Sequence, residues 1–481
     1  MHAPTEALTH AARRLSIALL SGLAFFTILA ATSGRTEFGT LAALCLILYL
    51  GMILPSVHKR EAPLVSVAAV SVIAVTILHP APGPILLTAA AKGASFASLI
   101  LALGFLQAPA SHSRLVHRCG EFLINQGPSR RYAALTVGGH LFGIVLNLGA
   151  LSLLGGMMKR SNTLEQAGGD PAIVALRSER MSMAMLRGFS TSTLWSPTTL
   201  TVTVSLTLVP DGLWLSILPI GMSMAALLLF IGYLQDRLQH PPRARARALS
   251  YHTDLTLRET LLPLSLLVLS VLALIVAVRQ LMGWPLGTVV MTVVPLFSVG
   301  WMFWQNVGRS LRLALGLTAR QTLRHCAEKL PKNRYEVISL SCGGIVGGCV
   351  AALIPPQALG DLMNYLGLPP VALLIAVFWV VVLGAQISIN PIITVPLLGS
   401  AIMQMHPLPV SPFALLVTLI TSWTMFTLFS PFSASALILG NIGEVPPRTI
   451  VHRWNGLYAL GAAFLFNLLI IIVELLTAPV V

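Results

Sequence analysis

Apolar runs of membrane-spanning length recur along this chain and constrain its fold more than any other feature. Clear examples cover residues 15–31, 38–55, 64–78, 213–234 and 457–476. An α-helix needs about 20 apolar residues to cross the roughly 30 Å of hydrocarbon in a bilayer. Hydrophobic residues make up 56% of the 481 residues and charged residues 10%, more apolar side chain than a soluble core buries. We therefore expect an all-α polytopic membrane protein, since helices satisfy their own backbone hydrogen bonds in lipid.

The positions of the basic residues predict how these helices are oriented. The net charge is +14. A topology of about 11 transmembrane units with a cytoplasmic N-terminus leaves only Arg35, Lys92, Arg187 and Arg279 away from the cytoplasmic side, in agreement with the positive-inside rule. We expect a bacterial-type inner (cytoplasmic) membrane protein with a periplasmic C-terminus, whose basic residues anchor it in the lipid bilayer and bind no nucleic acid. The first apolar run is interpreted as a retained helix, because no small-residue cleavage site follows it.

Two long apolar stretches carry polar, Gly or Pro residues near their middle, unlike ordinary spanning helices. The first covers residues 132–158 and includes GIVLNLGALSLLGG, and the second covers residues 371–403 and includes GAQISINPIITVPLLGS. Both enter and leave on one face in the predicted topology. We interpret them as two re-entrant hairpins, with tips near Asn147 and near Ser388 to Asn390. Broken backbone at membrane depth is tolerated only where protein or water covers it, so such tips are expected at a binding site.

One short phrase occurs twice, as TLWSP at residues 193–197 and as TLFSP at residues 427–431. Each proline lacks an amide hydrogen and restricts the residue before it, which favours an interruption. We predict two broken helices, over residues 176–210 and 412–441, each following a hairpin. The recurrence indicates a diverged duplication whose copies form an inverted repeat in the membrane. The predicted organisation is an N-terminal leading helix at 1–36, a first repeat at 37–236, a basic cytoplasmic linker at 237–258 and a second repeat at 259–481.

This order of elements resembles the ion transporter superfamily, and most of all its divalent anion:sodium symporter family. That family carries a Ser-Asn-Thr triplet at each hairpin tip. Here the tips read Leu146-Asn147-Leu148-Gly149 and Ser388-Ile389-Asn390-Pro391, so only the two asparagines and Ser388 match, and the chain resembles a divergent member of that family. The resemblance implies an elevator-type secondary active transporter, usually a homodimer, in which hairpin and broken helix move together against a fixed scaffold.

The residues also indicate a site for a small organic anion. Unwound helix ends offer amide hydrogens to anions and carbonyls to Na⁺, and hydroxyls complete either shell. The candidate substrate-binding residues are Asn147, Arg187, Ser190, Thr191, Ser192, Thr193, Ser196, Pro197, Thr198, Ser388, Asn390, Thr427, Ser430, Pro431 and Ser433. The candidate ligands of Na⁺ as coupling ion are Asn147, Gly149, Ser388 and Asn390, and no other cofactor is expected. The alternative is that the hydroxyls only bond to carbonyls of their own helices.

Three further side chains each have two interpretations. Arg187 either binds a carboxylate in bidentate fashion or extends toward the cytoplasm, and in the first case its replacement by Ala abolishes uptake with folding intact. Lys92 either binds or pairs within the membrane or extends toward the outer face. His140 either couples protons or packs through a hydrogen bond.

Other functional classes are less favoured. No acidic residue lies at the middle of a predicted span, which disfavours a proton relay, although a proton-coupled antiporter and an inorganic oxyanion exporter stay as alternatives. The five cysteines have no CxxC spacing. A membrane-embedded enzyme is a lesser alternative, since the loops at 108–131 and 235–260 lack a His/Asp/Glu constellation. A passive channel would need a continuous polar stripe, whereas polar residues here concentrate in two clusters.

Overall fold

The computed structural model describes residues 10–58, 61–240, 256–308, 310–353, 355, 361, 365, 367–405 and 407–478. The described residues are almost entirely helical and contain no strand, which confirms the all-α prediction. Within them, nine helical segments are long and apolar enough to cross a membrane, and three shorter apolar helices accompany them. The chain is therefore a polytopic membrane protein. Most of the predicted linker at 237–258 lies outside the described residues.

The helices are numbered here in chain order. They are α1 (His10–Ser33), α2 (Thr36–Ile53), α3 (Ala62–Leu78), α4 (Pro82–Gly104), α5 (Gln107–His112), α6 (Arg114–Ile124), α7 (Pro128–Leu146), α8 (Gly149–Ser161), α9 (Pro171–Ser192), α10 (Leu200–Leu206), α11 (Leu213–Gln239), α12 (Leu257–Met282), α13 (Leu286–Asn306), α14 (Leu311–Lys329), α15 (Arg334–Leu353), α16 (Pro370–Gln386), α17 (Pro391–Met403), α18 (Pro412–Phe429), α19 (Ala434–Gly443) and α20 (Gly456–Thr477). A π-helical turn, Thr449–Trp454, precedes α20.

The helices divide between two compact units. The first unit comprises residues 1–109, 287–358 and 392–404, and it includes α1 to α4, α14, α15 and nearly all of α13 and α17. The second unit comprises residues 110–286, 359–391 and 405–481, and it includes α6 to α12, α16 and α18 to α20. The predicted second hairpin is thus divided, with its first arm and tip in the second unit and its second arm in the first.

Close helix packing in the first unit depends on the GGIVGG sequence of α15. A Cβ added at Gly343 would lie 2.7 Å from the carbonyl oxygen of Ile392 in α17, and one at Gly347 would lie 3.1 Å from that of Pro396. On the neighbouring stripe, a Cβ at Gly344 would lie 2.7 Å from the Cα of Gly93 in α4. Small residues four apart let helix backbones approach closely in membranes. The two overlapping stripes therefore let α15 pack against α17 on one side and α4 on the other.

Glycine plays the same part in the second unit, between α7 and α9. A Cβ added at Gly139 would lie 3.0 Å from the carbonyl oxygen of Met185, and one at Gly143 would lie 2.7 Å from Ser192 Oγ. Gly188 of α9 faces the carbonyl oxygen of Thr136. At these glycines the backbones of α7 and α9 approach each other closely. This packing holds the end of α9 beside the end of α7.

The two interrupted helices begin in the same way. Asp170 caps α9 by accepting a hydrogen bond from the Ala172 amide at 2.8 Å, and Ser411 caps α18 by accepting one from the Phe413 amide at 3.3 Å. In each case proline follows the cap at the first helical position, where its missing amide costs nothing. Hairpin and capped, interrupted helix occur twice in the same order along the chain.

Candidate functional site

Two tips separate the arms of the predicted hairpins, and both are strained. Between α7 and α8, Asn147 has a φ of +51°, and between α16 and α17, Ser388 has a φ of +74°. The only other described non-glycine residue with positive φ is Glu444. Such backbone costs energy and persists where the surrounding structure enforces it, often at functional sites. Both strained tip residues are among those that the sequence analysis selects.

The first helix break lies between α9 and α10 and is tied to the first tip. The helix stops at Ser192 and resumes at Leu200, so TLWSP lies in the unwound part. Thr198 Oγ1 donates a hydrogen bond of 2.6 Å to the carbonyl oxygen of Ile144, in the last turn of α7. Carbonyls at a helix end lack an intrahelical donor, and this hydroxyl supplies one.

The second break, between α18 and α19, repeats the arrangement. Ser430 Oγ donates a hydrogen bond of 2.6 Å to the carbonyl oxygen of Ala385, in the last turn of α16. Pro431 has no amide hydrogen for the carbonyl of Thr427, and Ser435 Oγ donates to that carbonyl at 3.0 Å. The interruption that each proline phrase predicts is therefore present. Each break is hydrogen-bonded to the last helical turn before the tip of its own hairpin.

The two breaks approach each other through their hydroxyls. Thr193 Oγ1, at the end of α9, lies 2.8 Å from Thr424 Oγ1 in the last part of α18. Both side chains are buried. The second unit thus brings together the two interruptions that the sequence analysis places in separate repeats.

Several of the selected hydroxyls are already bonded within their own segment. Ser190, Thr191, Ser192 and Thr193 each donate to the carbonyl three residues earlier, at 2.6 to 3.0 Å. Elsewhere, Ser196 Oγ and Thr198 Oγ1 are 2.8 Å apart, and Ser433 Oγ donates to the Ser430 carbonyl at 2.8 Å. All of these side chains are buried. These bonds agree with the alternative interpretation, in which the hydroxyls bond to nearby groups of their own segment. A ligand would bind these hydroxyls only by replacing those hydrogen bonds.

Arg187 lies inside the second unit, with only 2% of its surface exposed. Its Nε donates to Asn455 Oδ1 at 2.9 Å, and its Nη1 donates to the Tyr132 hydroxyl at 2.9 Å. Its guanidinium carbon lies 4.3 Å from the centre of the Tyr458 ring, a cation–π contact. Among the described residues, no acidic side chain forms an ion pair with it. The guanidinium is therefore held by neutral partners inside the second unit.

A histidine packs against the aromatic residue of each proline phrase. The ring centres of His140 and Trp195 are 5.7 Å apart, and His140 Nδ1 lies 2.9 Å from Thr191 Oγ1. The rings of His452 and Phe429 are 4.9 Å apart, and His452 Nε2 lies 3.0 Å from Gln386 Oε1. His140 comes from α7, whereas His452 comes from the π-helical turn.

Sequence reasoning missed His452, Gln386 and Asn455 at the second break. Their contacts join residues between 27 and 268 positions apart in the chain, so no local spacing reveals them. The π-helical turn is also absent from the sequence analysis. π-Helical turns are rare overall, and those that occur are often found at functional sites.

An exposed ion pair joins the end of the first hairpin to the end of α19. Lys159 Nζ lies 2.7 Å from Glu444 Oε1. The Lys159 ammonium holds the pKa of the Glu444 carboxyl below its usual range through this hydrogen bond. Because both side chains are largely exposed, we assign the pair little stabilising effect.

Lys92 belongs to the first unit and pairs there with a neutral partner. Its Nζ donates a hydrogen bond of 2.8 Å to Ser400 Oγ in α17. No described acidic side chain forms an ion pair with it. Lys92 therefore pairs within the protein and links α4 to α17.

Replacing Ser400 is expected to lower stability, whereas replacing Lys92 is not. Lys92→Met removes a half-buried charge and keeps most of the volume, so the melting temperature should stay unchanged or rise. Ser400→Ala leaves the ammonium without its partner and should cost about 1–3 kcal/mol. Thermal unfolding of the purified variants measures both. A lower melting temperature for Lys92→Met than for Ser400→Ala would contradict this interpretation.

Comparisons with known proteins identify a fold. No protein-family model matches the chain, and no curated protein matches its sequence. The chain is similar to the solved structure of the YdaH transporter of Alcanivorax borkumensis, with 16% identity, a TM-score of 0.49, and coverage of 86% of this chain and 99% of that one. It is also similar to MtrF of Neisseria gonorrhoeae, described with a class of antimetabolite efflux pumps, with 11% identity, a TM-score of 0.53, and coverage of 86% and 95%.

The chain shares the fold of MtrF. At 11% identity the likeness concerns fold alone. MtrF is not described as a divalent anion:sodium symporter, so this likeness supports a shared fold and not that family specifically.

Proposed function

We propose that the chain is a secondary active transporter, not an enzyme, and that it moves a small organic anion past two hairpin tips and two helix breaks. The matched hydrogen bonds at the two breaks carry this proposal. Thr198 donates to the last turn of α7 and Ser430 to the last turn of α16, both at 2.6 Å. Interrupted helices of two repeats that meet at one place are the usual substrate site of secondary transporters.

The chemistry around the breaks favours an anionic substrate. Residues 190–199 and 424–435 contain no acidic residue and many hydroxyls. The buried Arg187 adds a positive charge that no described carboxylate pairs with. In a low-dielectric interior such a charge acts over a longer distance than in water. An anion bound at the breaks would supply the missing negative charge.

The coupling ion proposed for this carrier is Na⁺, bound at the tips. Asn147, Gly149, Ser388 and Asn390 offer amide, hydroxyl and backbone oxygens, the neutral ligands that interrupted helices present to Na⁺. In the proposed elevator-type cycle, tips and breaks move together across the membrane. We also propose a homodimer in an inner membrane, with a cytoplasmic N-terminus and a periplasmic C-terminus.

Uptake into proteoliposomes tests this function. Radiolabelled mono-, di- and tricarboxylates are offered with an inward Na⁺ gradient, and at least one should accumulate above its external concentration. Collapsing the gradient with an ionophore should abolish the accumulation. Simple equilibration, unaffected by Na⁺, would indicate a channel and contradict the proposal.

The hydroxyls at the breaks provide the matched variants. Thr198→Val and Ser430→Ala each remove a donor to a helix-end carbonyl, which costs about 1 kcal/mol and loosens the break. We expect each to lower uptake at least tenfold. The controls are Thr207→Val and Ser270→Ala, whose hydroxyls bond locally away from the breaks. Equal uptake by site and control variants would remove the role assigned to the breaks.

Export is the second candidate, favoured by the fold shared with MtrF. That protein is described with efflux pumps for antimetabolites. Under this alternative the same site would carry a small organic compound outward. Loading proteoliposomes with the labelled acids and following efflux against a concentration gradient distinguishes the two directions.

A further inference from the structure

Arg187 reaches the second helix break through one intermediate side chain. Its Nε donates to Asn455 Oδ1 at 2.9 Å, and Asn455 Nδ2 donates to the carbonyl oxygen of Leu428 at 2.9 Å. Leu428 lies two residues before Ser430, in the last turn of α18. The guanidinium is therefore connected to the backbone that unwinds at the break.

The carbonyl of Leu428 needs this contact because the break removes its helical donor. In a continuous helix the amide of Phe432 would bond to it. Here that amide donates to Ser430 Oγ at 3.2 Å instead. Asn455 is fully buried and supplies the replacement donor. A buried amide can serve the carbonyl only if its orientation is fixed, and the bond from Arg187 to its oxygen fixes it.

The same guanidinium is held from two other helices. Tyr132, in the first arm of the first hairpin, accepts from Nη1, and the Tyr458 ring lies against the guanidinium face. Tyr458 is itself fixed, since its hydroxyl donates to the carbonyl of Leu228 in α11 at 3.1 Å. Gly232 leaves the space for this packing: a Cβ there would lie 3.2 to 3.4 Å from Tyr132, Tyr458 and Arg187.

We propose that Arg187 is a positioning residue, which fixes the second helix break through Asn455 and couples it to the first hairpin and to α9. It acts through Asn455, Tyr132 and Tyr458 and does not bind the substrate as a bidentate ligand. This proposal rests on the proposed function in one respect, since it takes the second break to be part of the substrate site. The contacts of Arg187 on which it is based involve only residues of this chain and no substrate.

Asn455→Asp keeps one of the two hydrogen bonds of this side chain, the bond from Arg187, and removes the other, the bond to the Leu428 carbonyl. The aspartate keeps an acceptor for Arg187, and even forms an ion pair with it, but has no donor for the Leu428 carbonyl. Hydrogen–deuterium exchange of the full chain in lipid nanodiscs, without any substrate, is the readout. Exchange over residues 428–434 should rise about tenfold, while the melting temperature stays equal or rises.

The matched control is Asn467→Asp on the same helix, α20, whose amide donates only to the carbonyl four residues earlier. It should leave exchange over residues 428–434 unchanged. Unchanged exchange in Asn455→Asp would overturn the proposal. So would a rise spread over the whole chain with a lower melting temperature, since that indicates a merely structural residue.

Arg187→Lys provides a second variant if the aspartate variant does not fold. It keeps the charge, but a single ammonium cannot reproduce the planar fork that reaches Tyr132 and Asn455 together. Exchange over residues 428–434 should again rise, and wild-type exchange would overturn the proposal. No substrate enters these measurements, so their outcome is independent of whether the uptake assay finds one.

Discussion

Replacing Arg187 with Ala is expected to destabilise the protein by several kcal/mol, rather than to abolish binding in an intact fold. The substitution leaves the Tyr132 hydroxyl and the Asn455 oxygen buried without their donors. Each such group costs about 1–3 kcal/mol, and the emptied pocket adds to the loss. The contacts of Arg187 thus change the expectation from sequence alone, which is a loss of uptake with folding intact. Thermal unfolding with size-exclusion chromatography measures the effect.

Arg160→Ala is the control for that substitution. Arg160 is an exposed residue of α8, and exposed substitutions usually change stability by no more than about 0.5 kcal/mol. If Arg187→Ala melted within a degree of Arg160→Ala, the buried contacts described for Arg187 would be wrong.

Replacing Gly188 with Ala is expected to have the other large effect. The added methyl would overlap the carbonyl oxygen of Thr136, a backbone atom that cannot rotate away. Overpacking of this kind costs about 1–3 kcal/mol or more, and here it would separate α9 from α7 and move the first break away from its tip. We expect a lower melting temperature together with loss of uptake.

Gly156→Ala is a control that should raise stability, whereas Gly188→Ala should lower it. A methyl at Gly156 meets only the flexible end of Arg160, at 3.8 Å. Alanine is a better helix former than glycine, so this variant should gain about 0.5–1 kcal/mol. Destabilisation of equal size in both variants would show that the close approach of α7 and α9 is not what Gly188 serves.

The sequence predicts the parts of this fold that local chemistry decides. Apolar runs decide the membrane class, and the prolines at 197 and 431 interrupt their helices because they lack amide hydrogens. The tips at Asn147 and Ser388 follow from polar residues within apolar stretches, and both adopt the strained backbone of a sharp turn. Each of these inferences needs only a few adjacent residues.

Contacts between distant residues could not be predicted in this way. Asn455 is 268 positions from Arg187, and Ser400 is 308 positions from Lys92. A basic residue in an apolar stretch does not identify its partner, so binding, pairing and snorkelling all stay open until the partner is known. The hydroxyl runs have the same ambiguity, because Ser and Thr bond to their own helix as readily as to a ligand. The division of the second hairpin between two units also depends on packing that no local pattern encodes.

The proposed transport cycle carries the tips and breaks from one side of the membrane to the other. A single cysteine at Ser388, an exposed tip residue, tests it after the five native cysteines are replaced. The first control position is Leu164, in a loop flanked by Lys159, Arg160 and Arg177 and therefore expected on the cytoplasmic side. The second is Asp211, in the segment 210–212, which holds no Lys or Arg and is expected on the periplasmic side.

Labelling with a membrane-impermeant maleimide is then compared in right-side-out and inside-out vesicles. Because the tips cross the membrane in this cycle, we expect the cysteine at position 388 to react from both sides, whereas each control reacts from one side only. Reaction of position 388 from a single side, with both controls behaving as expected, would contradict the proposed cycle.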